Sequence, residues 1–475
     1  MTGTLVNAIG MIEEQYHQQP RAPALWLPHR GVISYAGLFE LSARVEGALQ
    51  RHKVPAGATT LLTLEFSELL YATIFALARR GSPILLIEPW MPLARINETL
   101  TLLQPEVMIG GLKGFVWGAR AASIRKIRTW ISAIACQRSP AASIQTHAVD
   151  PQHPCIISFT SGTSGRPKGV VRSHGYFKNL FEALDLSLGI SRHKGSDLCI
   201  FANFALANLG AGRCSVLIPG GWREKDLARA AVLAPDLAPR TATVGPAFLA
   251  KMLTQMPLPQ LEAMHVGGAL SDVALFESAL RQWPSASLTH IYGSTEVEPV
   301  ATIDARQAVA LSKDRGYFQV LSLGNLHPSL ASTTEKDSFW VSGSHVGPEY
   351  LGDNEANKEH KRRDRDGVLW HRMGDRIISD AQGLWYMGRE GQSREDFLSE
   401  QQLYTVLGHS RAIIERDPAG RPLVLGEALA RHTSAIRQVL PEAAGIFEAK
   451  IHRDPRHRAR IDRRLTRNGK LCRVG

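Results

Sequence analysis

Residues 156–170, reading IISFTSGTSGRPKGV, constrain this chain more than any other stretch. The stretch opens on the apolar residues Ile156, Ile157 and Phe159, as a buried strand does. It then breaks into Thr160, Ser161, Gly162, Thr163, Ser164 and Gly165, and ends in Arg166-Pro167-Lys168-Gly169. Glycine lets a backbone approach an anion closely. Hydroxyls and exposed N–H groups donate to phosphate oxygens, and Lys168 adds a mobile positive charge. The Gly and Lys spacing excludes a Walker A loop. A polar surface turn would share the richness in glycine and hydroxyls. The order hydroxyls, Gly, hydroxyls, Gly, x, Pro, Lys, Gly is the more specific signal.

Around this stretch the pattern alternates between strand and helix. Residues 5–20 and 35–52 read as amphipathic helices, the second with Leu38, Leu41, Val45 and Leu49 at helical spacing. Strands are expected at 59–64, 84–87 and 107–109, with a helix at 69–79. Residues 112–150 are basic and poorly patterned, with room for a surface helix and a linker. Beyond the loop, 172–186 reads as a helix, 199–204 and 216–218 as strands, 241–244 as a strand and 246–255 as a helix. HVGGAL at 265–270 ends a strand before a helix at 271–282, the place where open α/β sheets bind ligands. A strand at 288–291 runs into Tyr292-Gly293-Ser294-Thr295-Glu296. Such alternation predicts an α/β fold with parallel sheets, and 475 residues exceed what one core fills.

The chain carries a formal charge of +11, and much of the excess lies in 451–475. A basic run is most often a solvated face; the functional alternative is an acidic partner such as phosphates or an acidic carrier protein. Aromatics do not interleave with the charge, so nucleic acid is not expected. No apolar run is long enough to span a membrane. The start lacks a basic region followed by an apolar core, and the five cysteines form no CxxC pair. The expected location is the cytoplasm.

The loop at 158–170 and the Tyr-Gly-Ser-Thr-Glu element at 292–296 resemble, in the same order, two motifs of the adenylate-forming superfamily. That superfamily includes acyl-CoA synthetases, peptide-synthetase adenylation domains and luciferases. The resemblance implies a large N-terminal domain with parallel sheets flanked by helices, 1–388, and a small, reduced α+β C-terminal cap, 389–475. It implies ATP and Mg²⁺ as cofactors, a small carboxylic acid as substrate, and an acyl-AMP product that meets CoA or a phosphopantetheine carrier-protein thiol.

By the same resemblance, Thr160 to Gly165 and Lys168 hold phosphates. Gly268 and Ala269 pack against adenine, and Tyr292, with Gly293 and Ser294, stacks on it. Thr295 reaches the α-phosphate and Glu296 holds Mg²⁺. Residues 338–352 are similar to a third family element, a strand, a glycine and a returning Glu-Tyr. Asp375, in RMGDRIISD, is the ribose candidate, and Arg389 stands just before the hinge. Four places depart from the family. Ala205 stands where a histidine is common, Met373 replaces Thr, and Gly391 replaces the hinge residue. The thiol-side loop is not recognisable after 391. The catalytic lysine of the family has two competing places, Arg460 and Lys470. FALANLGAG, YGSTEVEPV and the RHRARID tail also resemble the β-lactone synthetases of bacterial olefin biosynthesis, where the substrate's own β-hydroxyl attacks the adenylate. A third expectation, a pseudoenzyme binding a carrier protein or nucleotide, is opposed by Lys168, Thr295, Glu296 and Asp375 standing intact.

Overall fold

The structure, a computed structural model, describes residues 5–87, 91, 93–143, 145–160, 168–453 and 461–475. Ser161, Gly162, Thr163, Ser164, Gly165 and Arg460 lie outside the described residues, as does the side chain of Thr160.

Two large sheets carry the N-terminal region. The six-stranded sheet runs in the order Thr129–Ser132, Val107–Gly110, Thr60–Thr63, Ile84–Leu86, Pro154–Thr160, Lys168–Ser173. Its neighbours are parallel except the last pair, an antiparallel hairpin. Its central strands are buried on both faces, through Leu61, Leu85, Met108 and Ile157 on one and Leu62, Ile84, Ile109 and Ile156 on the other, which is why they read as continuous apolar runs. The helix Tyr35–Arg51 starts where the Ser34 hydroxyl accepts the Gly37 N–H at 3.1 Å. It buries Leu38, Val45 and Leu49, each contributing about 2 kcal/mol.

The eleven-stranded sheet runs Gly31–Ser34, Pro23–Leu27, Ser215–Leu217, Ser196–Cys199, Pro239–Val244, Ala263–Val266, Ser287–Tyr292, Ala301–Asp304, Ser322–Leu326, Gly383–Arg389, Asp375–Asp380. It is parallel from Pro23–Leu27 to Ser287–Tyr292 and antiparallel at both flanks. A four-stranded sheet containing Ser338–Gly343, Lys361–Arg363 and Leu369–Arg372 follows. The last four strands, Ala412–Arg416, Pro422–Gly426, Gly445–Ala449 and Leu471–Arg473, form a separate sheet with the helix Arg394–Leu407 against it. This is the expected class: a large parallel-sheet α/β region and a small α+β end.

Four expectations need correction. The helix after the loop starts at His174, because Lys168–Ser173 is a strand buried at every position; burial on both faces hides its alternation. The strand expected at 199–204 ends at Cys199, and Ala202–Gly210 is a helix. A short apolar run does not separate the two, and alanine and leucine favour the helix. Residues 112–150 contain an edge strand, Thr129–Ser132, paired with Val107–Gly110. The first helix begins only at Gly10.

Candidate active site

The parallel pairing of Ala263–Val266 with Ser287–Tyr292 puts their carboxyl ends side by side. Gly267 follows one and Tyr292 ends the other. A Cβ on Gly267 would lie 3.0 Å from the Ile291 carbonyl oxygen, a crowded contact, so glycine suits this close approach of the two backbones. Gly268 and Ala269 are half-buried at the same sheet edge. After Tyr292 the chain folds on itself: the Ser294 N–H donates to the Val297 carbonyl at 2.8 Å, and the Ser294 hydroxyl accepts the Glu296 N–H at 3.3 Å. Gly293 lies against this turn. Thr295 is held through its carbonyl, which accepts from Arg172 Nη2 at 3.1 Å.

Backbone pairing brings three distant segments onto Glu296. The Gly347 N–H donates to the Glu296 carbonyl at 2.7 Å. The Val171 N–H donates to Glu349 and the Leu351 N–H to Gly169, so Tyr350 sits against the strand that begins with Lys168. The short helix Asn354–His360 then turns into Lys361–Arg363, which places Lys361 opposite His371.

The result is a buried polar cluster. The Tyr350 hydroxyl donates to Glu296 Oε1 at 2.7 Å. Lys168 and Lys361 lie 5.4 and 5.5 Å from the centre of the Tyr350 ring, cation–π distances. Lys168 Nζ is 2.5 Å from His360 Nε2, and Lys361 Nζ donates to the Gly347 carbonyl. Burial pushes the Glu296 carboxyl up, but His371, the Tyr350 hydroxyl, Lys361 and Ser294 outweigh it and hold it at about 2. Burial lowers Lys361 to about 8 against the pull of Glu296, and lowers Lys168 against the pull of Glu359 and Glu296. Burial, with Lys361 beside it, takes His371 well below its ordinary value. At neutral pH the Glu296 carboxyl is therefore ionised and faces the Lys361 ammonium.

A second group lies at the far edge of the same sheet. The Tyr292 hydroxyl donates to Asp375 Oδ2 at 2.7 Å, and Arg389 Nη1 pairs with Asp375 Oδ1. Asp375 and Tyr292 are both buried. The Asp375 carboxylate raises the Arg389 pKa further.

Of the expected site residues, the structure brings Lys168 and Glu296 around Tyr350, and Tyr292, Asp375 and Arg389 into the second group. It leaves Lys470 exposed just ahead of the edge strand Leu471–Arg473, and no described contact of Glu296 or Lys168 reaches it. Ala205 is fully buried in the main core rather than lining a polar wall. Sequence reasoning missed His360, Lys361 and His371. The Glu-Tyr at 349–350 was the available signal, since it marks where the chain returns to the loop strand.

The donor set suits Mg²⁺ on a nucleotide. A single carboxylate held ionised at about 2 is a hard ligand. Among the described residues, no group of three or more His, Cys, Asp or Glu is placed to hold a metal ion, so such an ion would take its other ligands from phosphates and water.

Residues 12–318 match the family described as AMP-binding enzyme. Among curated relatives, an olefin β-lactone synthetase of Stenotrophomonas maltophilia is 26% identical over 91% of this chain and 90% of its own length. Nonribosomal peptide synthetase 30 of Fusarium vanettenii is 25% identical over 80% of this chain, which spans only 6% of that protein. Among solved structures, O-succinylbenzoate coenzyme A synthetase of Bacillus subtilis in complex with AMP superposes with a TM-score of 0.80 at 17% identity, over 98% of both chains. The same synthetase with ATP and magnesium gives 0.79 at 16% identity, over 96% of this chain and 98% of that one. These likenesses establish the fold. No helix among the described residues is long and apolar enough to cross a membrane.

Proposed function

Because this chain belongs to the AMP-binding enzyme family, the AMP-forming ligases that include acyl-CoA synthetases, we propose that it activates a carboxylic acid with ATP and Mg²⁺ and passes the acyl group to a thiol of CoA or a carrier protein. The observation that carries this proposal is the convergence of Lys168, Tyr350 and Glu296 at one buried point. The substrate carboxylate attacks the α-phosphorus and pyrophosphate leaves. Charge spreads onto phosphoryl oxygens in that step, and preorganised cations stabilise it most where water is excluded.

In this proposal Lys168 and the amides of 160–165 hold the phosphates. Glu296 would ligate Mg²⁺, which neutralises phosphate charge when bound, and Tyr350 fixes the rotamer of that carboxylate. Thr295 faces the α-phosphate. Tyr292, with Gly293 and Ser294, and the edge at Gly268 and Ala269 take adenine, and Asp375 takes the ribose hydroxyls. Residues 1–388 form the ATP- and acyl-binding unit, and 389–475 a mobile cap that adds one cation from Arg460 or Lys470.

A second proposal concerns the acceptor. A relative matched along nine-tenths of its length is named a β-lactone synthetase, and Ala205 stands where the family commonly has a histidine. In that case the substrate's own β-hydroxyl closes on the adenylate and no thiol is used.

Carboxylate-dependent pyrophosphate exchange across a panel of acids, with and without CoA or a carrier protein, tests both. Exchange with some acid is the expected result, and exchange with none sinks the activation itself. Thiol-independent turnover of 3-hydroxy acids alone selects the second acceptor. Arg460→Ala and Lys470→Ala, compared with a truncation at Gly391, assign the cap's cation. A truncation that keeps full exchange removes the cap from this step.

A further inference from the structure

Away from this site, two histidines and a serine face one another at the surface. His327 Nδ1 lies 2.8 Å and His345 Nδ1 3.2 Å from the Ser329 hydroxyl oxygen. The outer nitrogen of each ring meets a carbonyl: His327 Nε2 is 3.2 Å from Ala183 O, and His345 Nε2 is 2.9 Å from Pro299 O. A carbonyl oxygen only accepts, so Nε2 carries the hydrogen in both rings and both Nδ1 atoms present lone pairs.

The group is therefore short of hydrogens. The Ser329 hydroxyl has one proton for two nitrogens. Its backbone N–H also points at His327 Nδ1, at 3.2 Å. If the hydroxyl serves His327 at the shorter distance, the buried His345 Nδ1 is left facing lone pairs of the same oxygen at 3.2 Å with no donor. A cation resolves that conflict. The two rings stand at 80° with centroids 5.1 Å apart, so their lone pairs converge from different directions. Both rings are buried, while Pro328, Ser329 and Ser344 are exposed, which leaves the open side to solvent.

We propose that His327 Nδ1, His345 Nδ1 and Ser329 Oγ are three ligands of a zinc-class divalent transition-metal site, with water as the fourth. Imidazole suits zinc, copper and nickel rather than magnesium or calcium. A metal-bound histidine characteristically donates its second N–H to a carbonyl or carboxylate, and both rings already do. Neighbouring ligands of tetrahedral zinc sit about 3.3 Å apart, given bonds of roughly 2.0–2.1 Å, so the serine need move only a few tenths of an ångström. A metal here would clip two segments together, the turn at 327–329 and the return toward Tyr350 that carries His345. The two rings are held in turn by Ala183, of the helix His174–Leu188, and by Pro299, of the turn that carries Glu296. The site does not depend on the proposed acid activation.

The test uses the full chain, freed of metal by a chelator and titrated calorimetrically with ZnCl₂, with Co²⁺ as a spectroscopic probe. The wild type is expected to bind Zn²⁺ and to give the visible absorption of tetrahedral Co²⁺. His327→Gln/His345→Gln keeps amide donors for the two carbonyls but removes both lone pairs. It should weaken Zn²⁺ binding roughly tenfold or more and abolish the Co²⁺ band. Ser329→Cys, at an exposed position, supplies a thiolate and should tighten binding about tenfold or more. Equal Zn²⁺ affinity in the wild type and the double variant overturns the proposal. So does a Ser329→Cys chain that binds no tighter than wild type, an arm that still decides if the double variant fails to fold.

Discussion

Two buried regions of the molecule solve opposite problems. On one side, Lys168, Tyr350, Glu296, His360, Lys361 and His371 bury charge and satisfy it with charge and hydrogen bonds. On the other, the helix Ala202–Gly210 buries Phe204, Ala205, Leu206 and Leu209 in the main apolar core. Burying a charge costs several kcal/mol unless it is paired, so every member of the first group is tied to its partners by chemistry. The second group is tied only by volume. Substitutions on the first side should therefore disturb activity and pH response, and those on the second should disturb stability.

The largest expected effect is on the charged side. Glu296→Gln or Lys168→Ala should lower pyrophosphate exchange at least tenfold, and up to about a thousandfold if the lost group faces the transition state directly. Undiminished exchange in both variants would remove these residues from the mechanism. The same carboxylate should be visible in stability. Its folded value of about 2 lies below the ordinary value, so its contribution is complete above about pH 4.5 and is lost as pH falls toward 2. That contribution is on the order of 3 kcal/mol. Urea unfolding of the wild type and Glu296→Gln between pH 5 and 3 checks the sign: the variant should show the shallower decline.

On the apolar side, Ala205→Leu should cost about 1–3 kcal/mol through overpacking, with the pH profile of exchange unmoved. A shifted profile without loss of stability would break the contrast between the two sides. The smallest expected effect is at the far sheet edge. Asp375→Ala should raise the KM for ATP roughly tenfold through the lost charged hydrogen bonds, and leave that for the acid nearly unchanged. A change in the acid's KM instead would place Asp375 elsewhere.

What the sequence disclosed follows from how far apart the cooperating residues lie. The strand endings before Gly267 and at Tyr292 are contiguous patterns, and both were legible, as was the buried stripe of Tyr35–Arg51. The contact between Lys168 and His360 spans 192 positions, and nothing local marks His360 as more than the end of a short helix. Lys361 and His371 meet only because two short strands pair in one register. Lys168–Ser173 and Ala202–Gly210 were misread for a related reason. Burial on all sides erases the period that distinguishes strand from helix, and tertiary packing then decides.

Arg389 ends the strand Gly383–Arg389 while its guanidinium grips Asp375. Two residues on, Gly391 sits at φ +87°, a conformation that a side chain would strain. Salt bridge and glycine turn thus sit two residues apart, where the chain leaves the large sheet for the small one. A ribose on Asp375, as proposed, would compete with Arg389 for one carboxylate, so the nucleotide would act right beside that junction.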